Sequence, residues 1–173
     1  MPKELLTHAD VIAEEAKGAK PYSPRASKKL IDLMNAGASR EIQVAIQYIW
    51  QHIMARGIMS ESVSKVLEET AIAEMKHYEK IAERIDYFGQ RPTTKPAEIK
   101  FGDSIKEMLE LDKKAEEEAI KLYKEIISVA KAQNDPTTAF IFQEILEQEE
   151  DHHYKFSTLL DKDKAMHLSL IHI

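Results

Sequence analysis

Cysteine is absent from all 173 residues. That absence excludes disulfides, thiolate-bound zinc, iron–sulfur clusters and rubredoxin-like iron centres, so any metal must be held by imidazole, carboxylate or thioether groups. Glycine is scarce at five residues and proline at six, and no low-complexity tract occurs. No run approaches the roughly 18 consecutive apolar residues of a membrane span, and the charged opening Met-Pro-Lys-Glu-Leu-Leu lacks a secretory hydrophobic core. The expectation is a cytoplasmic protein without a membrane partner. An excess of positive charge is also missing. A formal net charge of −6 makes nucleic acid an unlikely main partner, since phosphate binding needs a concentrated basic surface, but it suits the attraction of cations.

With 43% hydrophobic and 31% charged residues, the composition is that of a helical globular chain rich in exposed Glu and Lys. Its length suits one domain that buries about 70% of the surface of its unfolded form. Residues 1–26 hold a short amphipathic stretch (Leu5, Val11, Ile12, Ala16) and then a break at Pro21 and Pro24, which reads as an N-terminal arm.

Apolar residues recur at helical spacing from Lys28 to Arg56 (Leu30, Leu33, Met34, Ile42, Ala45, Ile46, Ile49, Ile53), with Gly57 as terminator. A second run opens at Ser60 and stops at Phe88-Gly89. Residues 89–101 read as a long ordered connection, long enough for a crossover between helices that run the same way. Asp103 or Ser104 caps a third helix through Ala130. Asp135 caps a fourth, with Pro136 at its first position, to about Leu160. The fold expected over residues 27–162 is all-α, a four-helix bundle with a long crossover between its second and third helices. Residues 163–173 are expected to form a tail or a short fifth helix.

Three histidines follow a glutamate by three positions: Glu74/His77, Glu149/His152 and Glu150/His153. This spacing puts both side chains on one helix face, close enough to ligate one metal. A helix-surface pair in solvent has the same spacing, so the company each pair keeps must decide. Glu149 and His152 lie on the stripe Phe142, Ile145, Phe156, Leu159, and Glu74 and His77 on the stripe Leu67, Ile81, Ile85, Phe88. Glu150 and His153 share theirs with Gln143 and Ser157, which assigns them to the solvated face. The same test turns Glu41 inward on the first helix, with Ala38, Ala45 and Tyr48. It turns Glu116 inward on the third, with Ile105, Leu109, Asp112, Ala119 and Tyr123.

The interval from Glu41 to Glu74 is 33 residues, and so is that from Glu116 to Glu149. The chain thus reads as two hairpins, each with Glu on its first helix and Glu-x-x-His on its second, the ligand pattern of di-iron carboxylate bundles. Charge supplies the reason. Four carboxylates in an apolar core would be strongly destabilising alone, whereas two divalent cations cancel their charge and occupy their lone pairs. Carboxylate-rich ligation with one imidazole per metal favours iron or manganese over structural zinc.

The segments Glu41-Ile-Gln-Val-Ala-Ile-Gln-Tyr48-Ile-Trp-Gln-His52, Glu74-Met75-Lys76-His77 and Glu149-Glu150-Asp151-His152 resemble those of bacterioferritins, and the resemblance spans about residues 28–160. It implies a ferroxidase that oxidises Fe(II) to Fe(III) with O2 or H2O2 at two iron ions per subunit, for iron storage. Glu41, Glu74, His77, Glu116, Glu149 and His152 match the family's ligands, with Glu74 and Glu149 bridging. Tyr48 matches the tyrosine beside the centre, an electron donor in the family and otherwise a core tyrosine that satisfies a carboxylate. Met75 matches the methionine that, with its symmetry mate, ligates a haem between two subunits. Trp50, on the face opposite Glu41, is expected at a helix or subunit contact.

The resemblance further implies a homo-oligomer, a dimer at least and in the family a 24-subunit cage. The chain departs from the family at Glu69 and Ala73, where some members carry an accessory iron site, and in a tail unlike the family's fifth helix. Two other readings compete: a peroxide-consuming di-iron or di-manganese bundle without storage, and a DNA-protecting mini-ferritin, whose sites lie between subunits.

Overall fold

In a computed structural model the protein is described over residues 25–57 and 59–171, with side chains through 162. Four helices occupy these residues: α1 (Lys28–Met54), α2 (Ser60–Tyr87), α3 (Ile105–Ala132) and α4 (Pro136–Ile171). The expected N-terminal arm, apart from its last two residues, lies outside the described residues. Among the described residues no helix is long and apolar enough to cross a membrane.

Local chemistry explains most of the boundaries. The Ser27 hydroxyl accepts from the Leu30 amide at 3.2 Å, Ser104 from Glu107 at 3.2 Å, and Asp135 from Thr138 at 3.0 Å, so each satisfies a backbone donor that the first helical turn leaves unpaired. Helix α2 opens at Ser60, as expected, but without a capping side chain. Met59 stands at the cap position and makes no side-chain bond there. Ser64, one turn on, stitches the hairpin instead: its hydroxyl donates to the His52 carbonyl at 2.7 Å. Gly57 and Gly89, at φ of +109° and +69°, take the left-handed backbone that follows α1 and α2.

The hairpins α1/α2 and α3/α4 are joined by the expected crossover, which runs along α1. Thr93 N donates to Asn35 Oδ1 (2.8 Å), Ala97 N to Ser39 O (2.9 Å) and Lys100 N to Gln47 Oε1 (2.9 Å). The crossover therefore starts where α1 starts and delivers the chain to the far end of the bundle, so α2 and α3 run the same way. Gly102 lets it turn tightly into α3, since a Cβ there would lie 2.7 Å from the Met108 nitrogen. At the other terminus the backbone of α4 continues unbroken over 163–171. Over its described residues, 163–171, the expected tail or short fifth helix is the last turns of the fourth helix.

Two apolar clusters fill the bundle. One holds Leu30, Met34, Ile81, Ile85, Tyr123, Ile126 and Phe142, and the other Val44, Tyr48, Val63, Leu67, Leu109 and Phe156. A polar layer separates them. Not every apolar position that gave α1 its periodicity faces this core: Ile46, Ile49 and Ile53 are exposed, because apolar spacing alone does not separate a core face from a second apolar face.

Candidate metal centre

Each helix sends its polar residues into the middle layer from within an apolar stripe, as the spacing predicts. Glu41 on α1, Glu74 and His77 on α2, Glu116 on α3, and Glu149 and His152 on α4 are all buried. Their donor atoms form two groups, Glu41/Glu74/His77/Glu149 and Glu74/Glu116/Glu149/His152, with every atom of a group within 4.8 Å of the others. Glu74 and Glu149 belong to both groups. Glu150 and His153 lie outside: Glu150 pairs with Lys124 at 3.1 Å and His153 meets Glu117 at 3.3 Å.

The distances are those of donors that converge on shared points. His77 Nδ1 lies 2.8 Å from Glu74 Oε2, 2.9 Å from Glu149 Oε1 and 3.9 Å from Glu41 Oε2. His152 Nδ1 lies 3.0 Å from Glu74 Oε1. Most of these approaches lack hydrogen-bond geometry. Both oxygens of Glu41 and of Glu149, one each of Glu74 and Glu116, and His152 Nδ1 have no hydrogen-bond partner. Unpaired buried carboxylate oxygens cost several kcal/mol unless a cation takes up their lone pairs. Oxygen-rich donors with one imidazole in each group fit a pair of divalent ions such as Fe(II) or Mn(II). Outside the donor set, His77 Nε2 meets Gln148 Oε1 at 3.1 Å; as donor there it leaves Nδ1 free to ligate.

The charges of the site respond to this crowding. Burial, then the neighbouring Glu149 and Glu74, push the carboxyls of Glu41 and Glu116 well above the usual range. Burial acts the same way on Glu74, but contacts from His152 and His77 outweigh it and hold that carboxylate well below the usual range. Burial would also lower His77, yet Glu149 and Glu74 raise it to about 10. Tyr48 donates a short hydrogen bond to Glu116 Oε1, and its hydroxyl is raised well above 10 by burial and by the carboxylates nearby.

Several residues of this layer escaped the spacing test. Arg40 is buried, donates to the Ala115 carbonyl, and faces Glu116 Oε2 at 3.6 Å and Glu149 Oε2 at 3.9 Å. A stripe through Gly37, Arg40, Val44, Gln47 and Gln51 would have found it, because those residues are all buried on α1. Asp112 lay on a stripe already drawn; it accepts from Gln47 Nε2 at 2.9 Å, and burial pushes its carboxyl up to about 7. Met75 stands elsewhere. It is 56% exposed, in a surface groove of about 1180 Å³ lined by Ile46, Ile49, Trp50 and Ile53. Trp50, expected at a helix or subunit contact, packs edge-to-face on Phe101 of the crossover at 4.7 Å.

The chain is similar to known proteins in sequence and fold. The family model of a ferritin-like domain matches residues 31–166. The chain is 32% identical to a bacterioferritin of Desulfovibrio desulfuricans over 125 residues, which cover 72% of this chain and 70% of that one. It is 29% identical to a bacterioferritin of Brucella melitensis over 134 residues, 77% of this chain and 83% of the relative. A crystal structure of a ferritin-like, diiron-carboxylate protein from Bacillus anthracis superposes with a TM-score of 0.75 at 27% identity, covering 77% of this chain and 96% of that one.

Proposed function

The chain belongs to the bacterioferritins within the ferritin-like family, and from that premise we propose that it is a ferroxidase and iron-storage subunit, which oxidises pairs of Fe(II) ions within one chain. The observation that carries this reading is the sharing of Glu74 and Glu149 between two buried donor groups, because shared carboxylates hold two ions side by side. Two ferrous ions supply one electron each, which with two protons takes O2 to H2O2 or H2O2 to water.

The protein's own part is positional. Gln148 orients His77 through Nε2, and Tyr48 fixes one oxygen of Glu116. By the family resemblance Tyr48 also donates an electron. The two apolar clusters keep the layer dry, which strengthens every charge interaction in it. Ferric product then passes to a mineral inside a cytoplasmic homo-oligomeric cage.

Haem forms a second part of the proposal. Met75 offers a thioether from a groove with apolar walls, and a second copy laid on that groove would bring the second thioether that an axial pair requires.

Glu74→Gln should abolish rapid Fe(II) oxidation in air while the circular dichroism of the helices is retained. Unchanged oxidation would defeat the ferroxidase reading. A Soret band that coelutes with the oligomer, and is lost in Met75→Ala, tests the haem. Manganese as the metal retained on purification, or a DNA shift that persists at physiological salt, would favour the rival readings.

A further inference from the structure

Arg40 is a buried cation of the middle layer that belongs to neither donor group. Its guanidinium is buried between α1 and α3, and Nη2 is anchored on the Ala115 carbonyl. Nη1 has no hydrogen-bond partner. Nη2 also lies 3.6 Å from Glu116 Oε2 and Nη1 lies 3.9 Å from Glu149 Oε2, and neither oxygen has a hydrogen-bond partner. These separations are too long for direct hydrogen bonds and short enough for strong attraction in a dry interior. What Arg40 contributes to its neighbours is therefore charge rather than bonding. The guanidinium stays protonated under all ordinary conditions.

This inference rests on the reading of the layer as a two-metal site. With the metals away, Arg40 is a fixed cation beside the four carboxylates, and it faces the two contributed by α3 and α4. With two divalent ions present, those ions and the carboxylates cancel, and the arginine remains as one surplus positive charge in a space without water. The second hairpin has no equivalent, since the position before Glu116 is Ala115.

We propose that Arg40 is a charge-setting, positioning residue of the centre: it stands in for metal against Glu116 and Glu149 when the site is empty, and it weakens the hold of the filled site on its ions. The second effect suits a site whose ions are passed onward rather than kept.

Thermal unfolding of the full chain with and without Co(II), together with Co(II) affinity from chelator competition, tests this in the wild type, Arg40→Met and Arg40→Lys. In Arg40→Met the metal-free protein should melt lower, the rise on adding Co(II) should exceed that of the wild type, and Co(II) should bind about tenfold tighter or more. Arg40→Lys, which restores the charge, should return both values towards the wild type. An unchanged rise in Arg40→Met would reduce Arg40 to ordinary packing, and a smaller rise would make it a support of the metal-bound geometry; either result overturns the proposal. If Arg40→Met does not fold without metal, recovery on refolding with Co(II) upholds the proposal, and failure to recover overturns it. A wild type that shows no response to Co(II) strikes instead at the two-metal reading itself.

Discussion

Tyr48 and Tyr123 each follow a site glutamate by seven residues, one in each hairpin, yet only Tyr48 ends on a carboxylate of the site. Its hydroxyl donates to Glu116, whereas the equally buried hydroxyl of Tyr123 has no hydrogen-bond partner. The aromatic surroundings repeat more faithfully: Tyr48 meets Phe156 and Tyr123 meets Phe142, both edge-to-face at 5.4 Å. The two hairpins thus share their donors and packing but not the groups that steady the donors. Arg40 and Tyr48 both come from α1 and both act across the bundle on Glu116, while Glu41 has no hydrogen bond to either of its oxygens. Repetition of these residues therefore does not make the two donor groups equivalent.

The sharpest way to break the comparison is to remove a shared ligand. Glu74→Gln or Glu149→Gln should take Co(II) binding from two ions per chain towards none, because each removes a donor from both groups. Glu41→Gln and Glu116→Gln should each leave one ion, and equilibrium dialysis counts them. Two ions retained in Glu74→Gln would show that the positions do not depend on it jointly.

A smaller effect concerns acidity. In the metal-free protein His77 holds its proton to about pH 10, well above its ordinary 6.5. Between those values the folded state binds more protons than the unfolded one, so stability falls as pH rises, by at most about 1.4 kcal/mol per pH unit. Asp112 works in the same direction between its ordinary 3.8 and about 7. Metal-free protein should therefore melt lower at pH 8 than at pH 6, and His77→Gln should flatten the fall above pH 6.5. A metal bound through His77 would have to displace its proton, so Co(II) affinity should rise over the same range. A metal-free melting temperature that climbs with pH would contradict this assignment of charges.

The smallest effects sharpen the asymmetry directly. Tyr48→Phe removes a hydrogen bond to a buried carboxylate and should cost about 1–3 kcal/mol of metal-free stability as well as slowing oxidation. Tyr123→Phe removes a hydroxyl without a partner and should be neutral or slightly stabilising. Equal losses in the two variants, measured by denaturant unfolding, would mean that Tyr123 has an unrecognised partner.

Much of this was legible in the sequence because two periodicities coincide in it. Glu41, Glu74, His77, Glu116, Glu149 and His152 sit at helical spacing among apolar residues, and the repeated 33-residue interval puts them at one level of the bundle. Ser104, Asp135 and Pro136 marked helix starts by known capping chemistry. What stayed hidden depends on contacts between distant segments. The reach of Tyr48 from α1 to Glu116 on α3 is set by how the hairpins face each other, which no spacing within one helix encodes. Arg40 was passed over because an arginine beside a glutamate reads as surface charge until the helix is known to bury both faces. The outward turn of Ile46, Ile49 and Ile53 was equally unreadable, since they keep the same period as the core.

Gln47 accepts from the Lys100 amide of the crossover and donates to buried Asp112, which makes a single side chain the link between a surface strap and the interior of α3. The consequence is one of timing. An amide on a half-buried loop normally exchanges with solvent at the rate of the loop's own fluctuations, but this one can be released only when the Gln47 amide lets go. Deuterium uptake at Lys100 thus reports from the outside how often the interior beside the centre loosens.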